Sequence, residues 1–127
     1  MIILLYGNTS IVFSENELVL GTALSHMPGS DVININENGV YQISYQLYGS
    51  KSGSGSFNFN CVLLVNNNPV ESTFNEGPVL EDVVNNRQTL TSTVILRLNA
   101  GDNLKLFGTS IEDISYQRAR IDIEKID

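Results

Sequence analysis

The feature that most constrains this sequence of 127 residues is an apolar–polar alternation with a period of two. Phe57, Phe59, Cys61, Leu63 and Val65 share one side of a run in which Asn58 and Asn60 occupy the other. Successive side chains of a strand point to opposite faces, so this pattern describes a strand with one face in a core. The rhythm returns in residues 40–48, where Tyr41, Ile43, Tyr45 and Leu47 alternate with Gln42, Ser44, Gln46 and Tyr48. In residues 90–98, Leu90, Ser92, Val94, Leu96 and Leu98 oppose Thr91, Thr93, Ile95 and Arg97. Near the end Ala119, Ile121 and Ile123 alternate with Arg118, Arg120, Asp122 and Glu124. Antiparallel sheets packed on one face produce such segments. The inward sets, with Leu104 and Leu106, are the expected core.

Strand-like runs are expected at 1–6, 10–13, 18–24, 31–35, 40–48, 57–65, 78–84, 88–98, 103–109 and 118–126. No stretch holds helical spacing for three turns. Many short strands with Gly, Asn, Asp and Pro between them indicate an all-β sandwich or barrel. "ENG" (37–39) marks a turn at Gly39, because Asn-Gly tolerates a left-handed backbone. "AGD" (100–102) marks another at Gly101 and Asp102, and "VNNNPV" (65–70) a third, tightened by local side-chain bonds. The Gly/Ser-rich piece "GSKSGSGS" (49–56) predicts a mobile loop rather than a linker, since strong strands flank it. No shift in composition divides the chain, so residues 1–127 are expected to form a single domain. At 42% hydrophobic the chain can fill a core, and with 17% charged residues its polar surface falls to Asn, Ser and Thr.

The net charge of −7, with seven basic residues and no basic cluster, leaves no footprint for nucleic acid or an anionic membrane. No run of about 20 apolar residues predicts membrane insertion. "MIILLYG" lacks the basic flank and length of a secretory signal and reads as a first strand. A lone Cys61 excludes an internal disulfide framework, and its place among Phe59 and Leu63 is that of a small buried hydrophobe rather than a catalytic thiol. His26 stands beside a loop proline, and one His and one Cys cannot by themselves complete a zinc site. The pairs Glu81–Asp82 and Glu112–Asp113 point to opposite faces if they lie in strands. In loops they could help hold calcium, assisted by Asp31, Asp102 and asparagines, although no stretch has calcium-loop spacing. No metal site and no cofactor are therefore assigned. There is no GxSxG elbow and no phosphate loop, and fourteen carboxylates contain pairs by chance alone, so no catalytic residue is assigned and the chain is not expected to be an enzyme. Tyr48, Phe74, Phe107 and Tyr116 could form a sugar-stacking platform, with packing as the plainer reading.

Ile33, Ile35, Gly39, Tyr41, Ile43, Ser44 and Tyr45, then residues 64–70, then residues 90–106 with Ala100, Gly101 and Asp102, follow a familiar order. Together with "ALSHMPGSDVINI" (23–35) they resemble the C1q/TNF-like jelly-roll superfamily, most closely the C-terminal heads of bacterial collagen-like proteins of the spore exosporium. The resemblance covers most of residues 20–126. It implies a ten-stranded jelly roll of two antiparallel sheets and a homotrimer built by the sheet that holds the first and last strands. Such heads act in surface architecture, adhesion or recognition. Within the chain no Gly-X-Y repeat occurs, so both a head parted from its stalk and a stand-alone relative remain open. Calcium ligands of relatives have no residue-by-residue match here.

The expectation is a non-catalytic homotrimeric head on a bacterial surface or spore outer layer, with the mother-cell cytoplasm and a phage particle as other places. Its trimer contact is expected at Gln46, Tyr48, Thr93 and Ile95, with Ile3, Leu5 and Ile126. The alternative is a carbohydrate- or receptor-binding module, such as a phage fibre head, whose end loops hold a glycan or a surface protein.

Overall fold

The computed structural model describes residues 3–13, 21–51, 59–77 and 86–127, and for residues 3–10, 50, 51, 86 and 110–117 the backbone alone. There the chain forms β1 (Ile3–Ser10), β2 (Leu24–His26), β3 (Ile33–Ile35), β4 (Gly39–Lys51), β5 (Phe59–Val65), β6 (Asn68–Pro69), a 3₁₀ turn (Glu71–Thr73), β7 (Asn75–Glu76), β8 (Asn86–Leu98) and β9 (Asn103–Lys125). Every strand pairing is antiparallel.

Two sheets make a jelly-roll sandwich. In the first, β8 pairs with β4 without a break from Gly39↔Leu98 to Lys51↔Asn86. The other edge of β4 takes the last part of β9, from Tyr41↔Lys125 to Tyr48↔Arg118, and the start of β1 lies beyond it. The second sheet is built on the first part of β9. One edge of that segment takes β3 and the end of β1, and the other takes β5, with β2 beyond β3 and β6 and β7 beyond β5. β9 thus belongs to both sheets and joins their hydrogen-bond ladders.

Strand alternation sends one set of residues inward. Tyr41, Ile43, Tyr45 and Leu47 of β4 meet Phe59, Cys61 and Leu63 of β5 and Leu104 and Leu106 of β9, all buried, with Ile11, Phe13, Ile33, Ile35, Leu90 and Leu98. Val94, Leu96, Ala119, Ile121 and Ile123 pack against this cluster from partly buried positions. Each large apolar side chain so buried contributes about 1.5–3 kcal/mol relative to exposure. Phe57 lies outside the described residues.

Several boundaries differ from the sequence expectation. Residues 103–109 and 118–126 are not two strands but parts of β9, which is flanked by β1 and β5 over 107–110 and by β1 and β4 at Ser115 and Tyr116. The first run, expected over 1–6, continues to Ser10 as β1; residues 1 and 2 lie outside the described residues. The run 10–13 is no strand of its own: Ser10 ends β1, the Ile11 amide donates to Leu106 O at 2.8 Å, and Phe13 makes an isolated bridge with Ser30. Of "GSKSGSGS", residues 49–51 continue β4, and 52–56 lie outside the described residues, as does run 78–84; of run 18–24, residues 18–20 also lie outside them, 21–23 are bends rather than strand, and Leu24 opens β2.

The turns divide by mechanism. Asn66 and Asn67 both have positive φ (51° and 66°) and form a two-residue hairpin loop between Val65 and Asn68, a type I′ geometry suited to asparagine. Gly101 has φ +96°, a conformation that glycine adopts freely. Gly39 does not. Neither it nor Asn38 has the left-handed backbone expected of "ENG". Gly39 opens β4 where a Cβ would stand 2.6 Å from Asp127 O, so close approach rather than dihedral freedom requires glycine.

Candidate interaction face

The outward face of the β8–β4–β9 sheet is assembled by register. Three strands set Thr93, Ser44 and Asp122 in one row, Thr91, Gln46 and Arg120 in the next, and Thr89, Tyr48 and Arg118 in a third. On the other side of the first row stand Ile95, Gln42 and Glu124, and then Arg97 and Val40. Ile126 follows β9, and its amide donates to Val40 O at 2.7 Å. Gln46, Thr93, Ile95 and Tyr48 therefore share one face, with Ile126 at its end. The Ile3 and Leu5 backbones pair with Tyr116 and Ile114 at the sheet's far edge, and their side chains lie outside the description.

The face is largely uncharged along β4. Ser44 Oγ and Thr93 Oγ1 are 3.0 Å apart and hydrogen-bonded across the strands. Ile95 stands in this setting 58% exposed, and Ile126 is 46% exposed. A shallow depression of about 320 Å³ is lined by Ser44, Gln46, Thr91, Thr93, Arg120 and Asp122, among others. Arg120 Nε donates to both Asp122 carboxylate oxygens, at 3.0 and 3.2 Å, so these charges hold each other at its rim.

The remaining candidates are scattered. Tyr48 lies on the outward face of this sheet, Phe107 alternates with buried Leu106 on the outer side of the other sheet, and Phe74 is exposed beyond the 3₁₀ turn. These three do not converge into a stacking platform, and the side chain of Tyr116 is not described. Burial pushes the Cys61 thiol up to about 12, only partly offset by hydrogen bonds with Tyr45 and the Val62 backbone, so it is protonated at neutral pH and serves as packing. His26 Nε2 lies 2.9 Å from Ser30 O, and its ring meets Phe13 edge-on at 6.1 Å. Asp102 accepts the Asn99 amide at 2.8 Å and the Asn66 side-chain amide at 2.9 Å. These bonds, with the backbone one largest, hold its carboxyl below the usual range. Among the described residues no group of three His, Cys, Asp or Glu is placed to hold a metal ion, and no helix is long and apolar enough to cross a membrane. Glu81–Asp82 and the side chains of Glu112–Asp113 are not described.

The sequence sets Arg97, Arg118 and Arg120 on the outward sides of their strands but does not bring them together, and it does not single out Arg87. Parity within each strand puts Arg87 and Arg97 with Ile95, and Arg118 and Arg120 with Asp122. The missing piece was that β8 and β9 flank the same strand.

No curated protein matches the chain. Among solved structures it is similar to one described as Eiger TNF from S. frugiperda, with a TM-score of 0.56 at 15% identity over 95% of this chain and 86% of that one. At that identity the likeness is one of fold, the two-sheet jelly roll. The family model of the BclA C-terminal domain, the head of an exosporium collagen-like protein of the spore surface, matches residues 1–127. The chain belongs to the BclA C-terminal domain family.

Proposed function

We propose that the protein is a non-catalytic head domain of a bacterial spore surface layer and assembles as a homotrimer through the outward face of the β8–β4–β9 sheet. One observation carries the reading: Ile95, 58% exposed, projects from a polar face whose charges are confined to β8 and β9, β4 contributing Gln42, Ser44, Gln46 and half-buried Tyr48 without a charge. Such a surface suits a protein contact, with an apolar centre and a rim that can hydrogen-bond. Family membership supports the spore-surface role, and the jelly-roll fold offers this sheet as a broad face. Gln46, Tyr48, Thr93 and Ile95 form the proposed contact, continued by Ile126 and, along the far edge, by Ile3 and Leu5.

Ile95→Asp tests it. A carboxylate placed at the apolar centre of a closed contact loses its water there, which costs several kcal/mol, enough to dissociate a micromolar trimer. Sedimentation velocity at micromolar concentration should show the wild type as a trimer and Ile95→Asp as a folded monomer with an unchanged circular dichroism spectrum. A monomeric wild type, or a variant that stays trimeric, defeats the proposal.

A further inference from the structure

All four arginines of the chain stand on this one face: Arg87 and Arg97 on β8, Arg118 and Arg120 on β9. Among the described side chains only Asp122 and Glu124 oppose them there, so the face is positive on a chain whose net charge is −7. Away from it the balance reverses, with Asp31, Glu37, Glu71, Glu76, Asp102 and Asp127 described against Lys105 and Lys125.

The four guanidiniums are not equivalent. Arg120 is neutralised by Asp122 at 3.0 Å. Arg87, Arg97 and Arg118 are exposed and have no ion-pair partner among the described residues; directly across β4 they stand opposite Ser50, Val40 and Tyr48. Water satisfies them while the face is open. Closing the face against another molecule removes that water, and a buried guanidinium without a counter-charge costs several kcal/mol. The occupant must therefore bring carboxylates.

Resting on the trimeric reading above, we infer that the neighbouring copy supplies them. The arginine-bearing face of one subunit docks on an acid-bearing surface of the next, and ion pairs to Arg87, Arg97 and Arg118 hold the ring. Symmetry agrees with the charge distribution. A two-fold contact sets a patch against itself, here four arginines against a patch with only Asp122 and Glu124 to offer, whereas a three-fold ring joins two different patches and lets positive meet negative. The same charges thus favour a ring over a face-to-face dimer.

Sedimentation equilibrium of the full chain in about 0.05 M and about 1 M sodium chloride tests this, because salt screens such pairs. The wild type is expected to form trimers whose dissociation constant weakens by roughly tenfold or more at high salt. R87Q/R97Q/R118Q should associate at least tenfold more weakly at low salt and lose most of the salt response, while R87K/R97K/R118K, which keeps the charges, should recover much of both. A wild-type trimer indifferent to salt and to the glutamine substitutions overturns the ion-pair inference and leaves the trimeric reading standing. A face-to-face dimer, or a monomer at both salt concentrations, overturns both.

Discussion

Tyr45 shows how one buried polar group can organise its surroundings. Its hydroxyl donates to Thr73 O at 2.6 Å, with Cys61 O 3.3 Å away. Thr73, itself 1% exposed, accepts the Leu63 amide through Oγ1 at 2.9 Å and donates to Val70 O at 2.7 Å. The 3₁₀ turn is thereby tied to β4 and β5 at once. Burial, more than the neighbouring Cys61, raises the Tyr45 pKa, so the hydroxyl keeps its proton throughout the neutral range. Tyr45→Phe retains the ring and removes the donor from a buried carbonyl, which should destabilise the fold by about 1–3 kcal/mol. Chemical denaturation should show a lower midpoint with an unchanged slope; a variant as stable as the wild type would mean that water or backbone adjustment satisfies Thr73 O.

At the scale of elements, what could be read in the sequence was set by whether its cause is local. Alternation in residues 40–48 and 90–98 is local, and β4 and β8 bury Tyr41, Ile43, Leu47, Leu90 and Leu98 accordingly. β9 is different. Its middle, "FGTSIEDISYQ", carries Gly, Ser and adjacent acids, which are loop signals, yet the residues on either side of the acids, 107–110 and 114–116, pair with β1 on one edge and with β5 and then β4 on the other, and the strand runs on through them. Tertiary partners override such weak strand propensity, and partners are not visible in the segment itself. The face followed the same rule: the uncharged side of β4 was legible, while the convergence of arginines from β8 and β9 needed the strand order. Among the turns, Asp102 is the element-scale clasp. It binds Asn66 of the β5–β6 hairpin and Asn99 of the β8–β9 turn, while Asn66 Oδ1 accepts the Asn103 amide at 2.9 Å. Because its folded pKa is depressed, its stabilisation is complete above the ordinary aspartate range and is lost as pH falls through the folded value. Asp102→Asn should cost about 1 kcal/mol at neutral pH at this partly exposed site. Melting temperatures of both proteins from pH 7 downward should converge below about pH 4; a gap that stays constant or widens would assign the stabilisation to another group.

For the whole molecule, the consequence of β9 is mechanical coupling. In a sandwich of two separate sheets, only side-chain packing between the layers links their stabilities. Here one strand supplies backbone hydrogen bonds to both, pairing Leu104 and Leu106 with β5 and Ile121 and Ile123 with β4. Opening the second sheet frees the first half of β9 and with it the strand on which the first sheet leans. Leu106→Ala probes this, because Leu106 is fully buried in the second sheet and its truncation should cost about 2–5 kcal/mol. If the two sheets unfold as one unit, amide exchange of Ile43, Tyr45 and Leu47 in β4 should lose the same free energy of protection as that of Leu63 in β5. Both proteins must be compared at one concentration, since association adds stability of its own. Protection that falls in β5 and stays unchanged in β4 would mean that β9 bends as a hinge between independently opening sheets, and that the shared strand couples their geometry without coupling their stability.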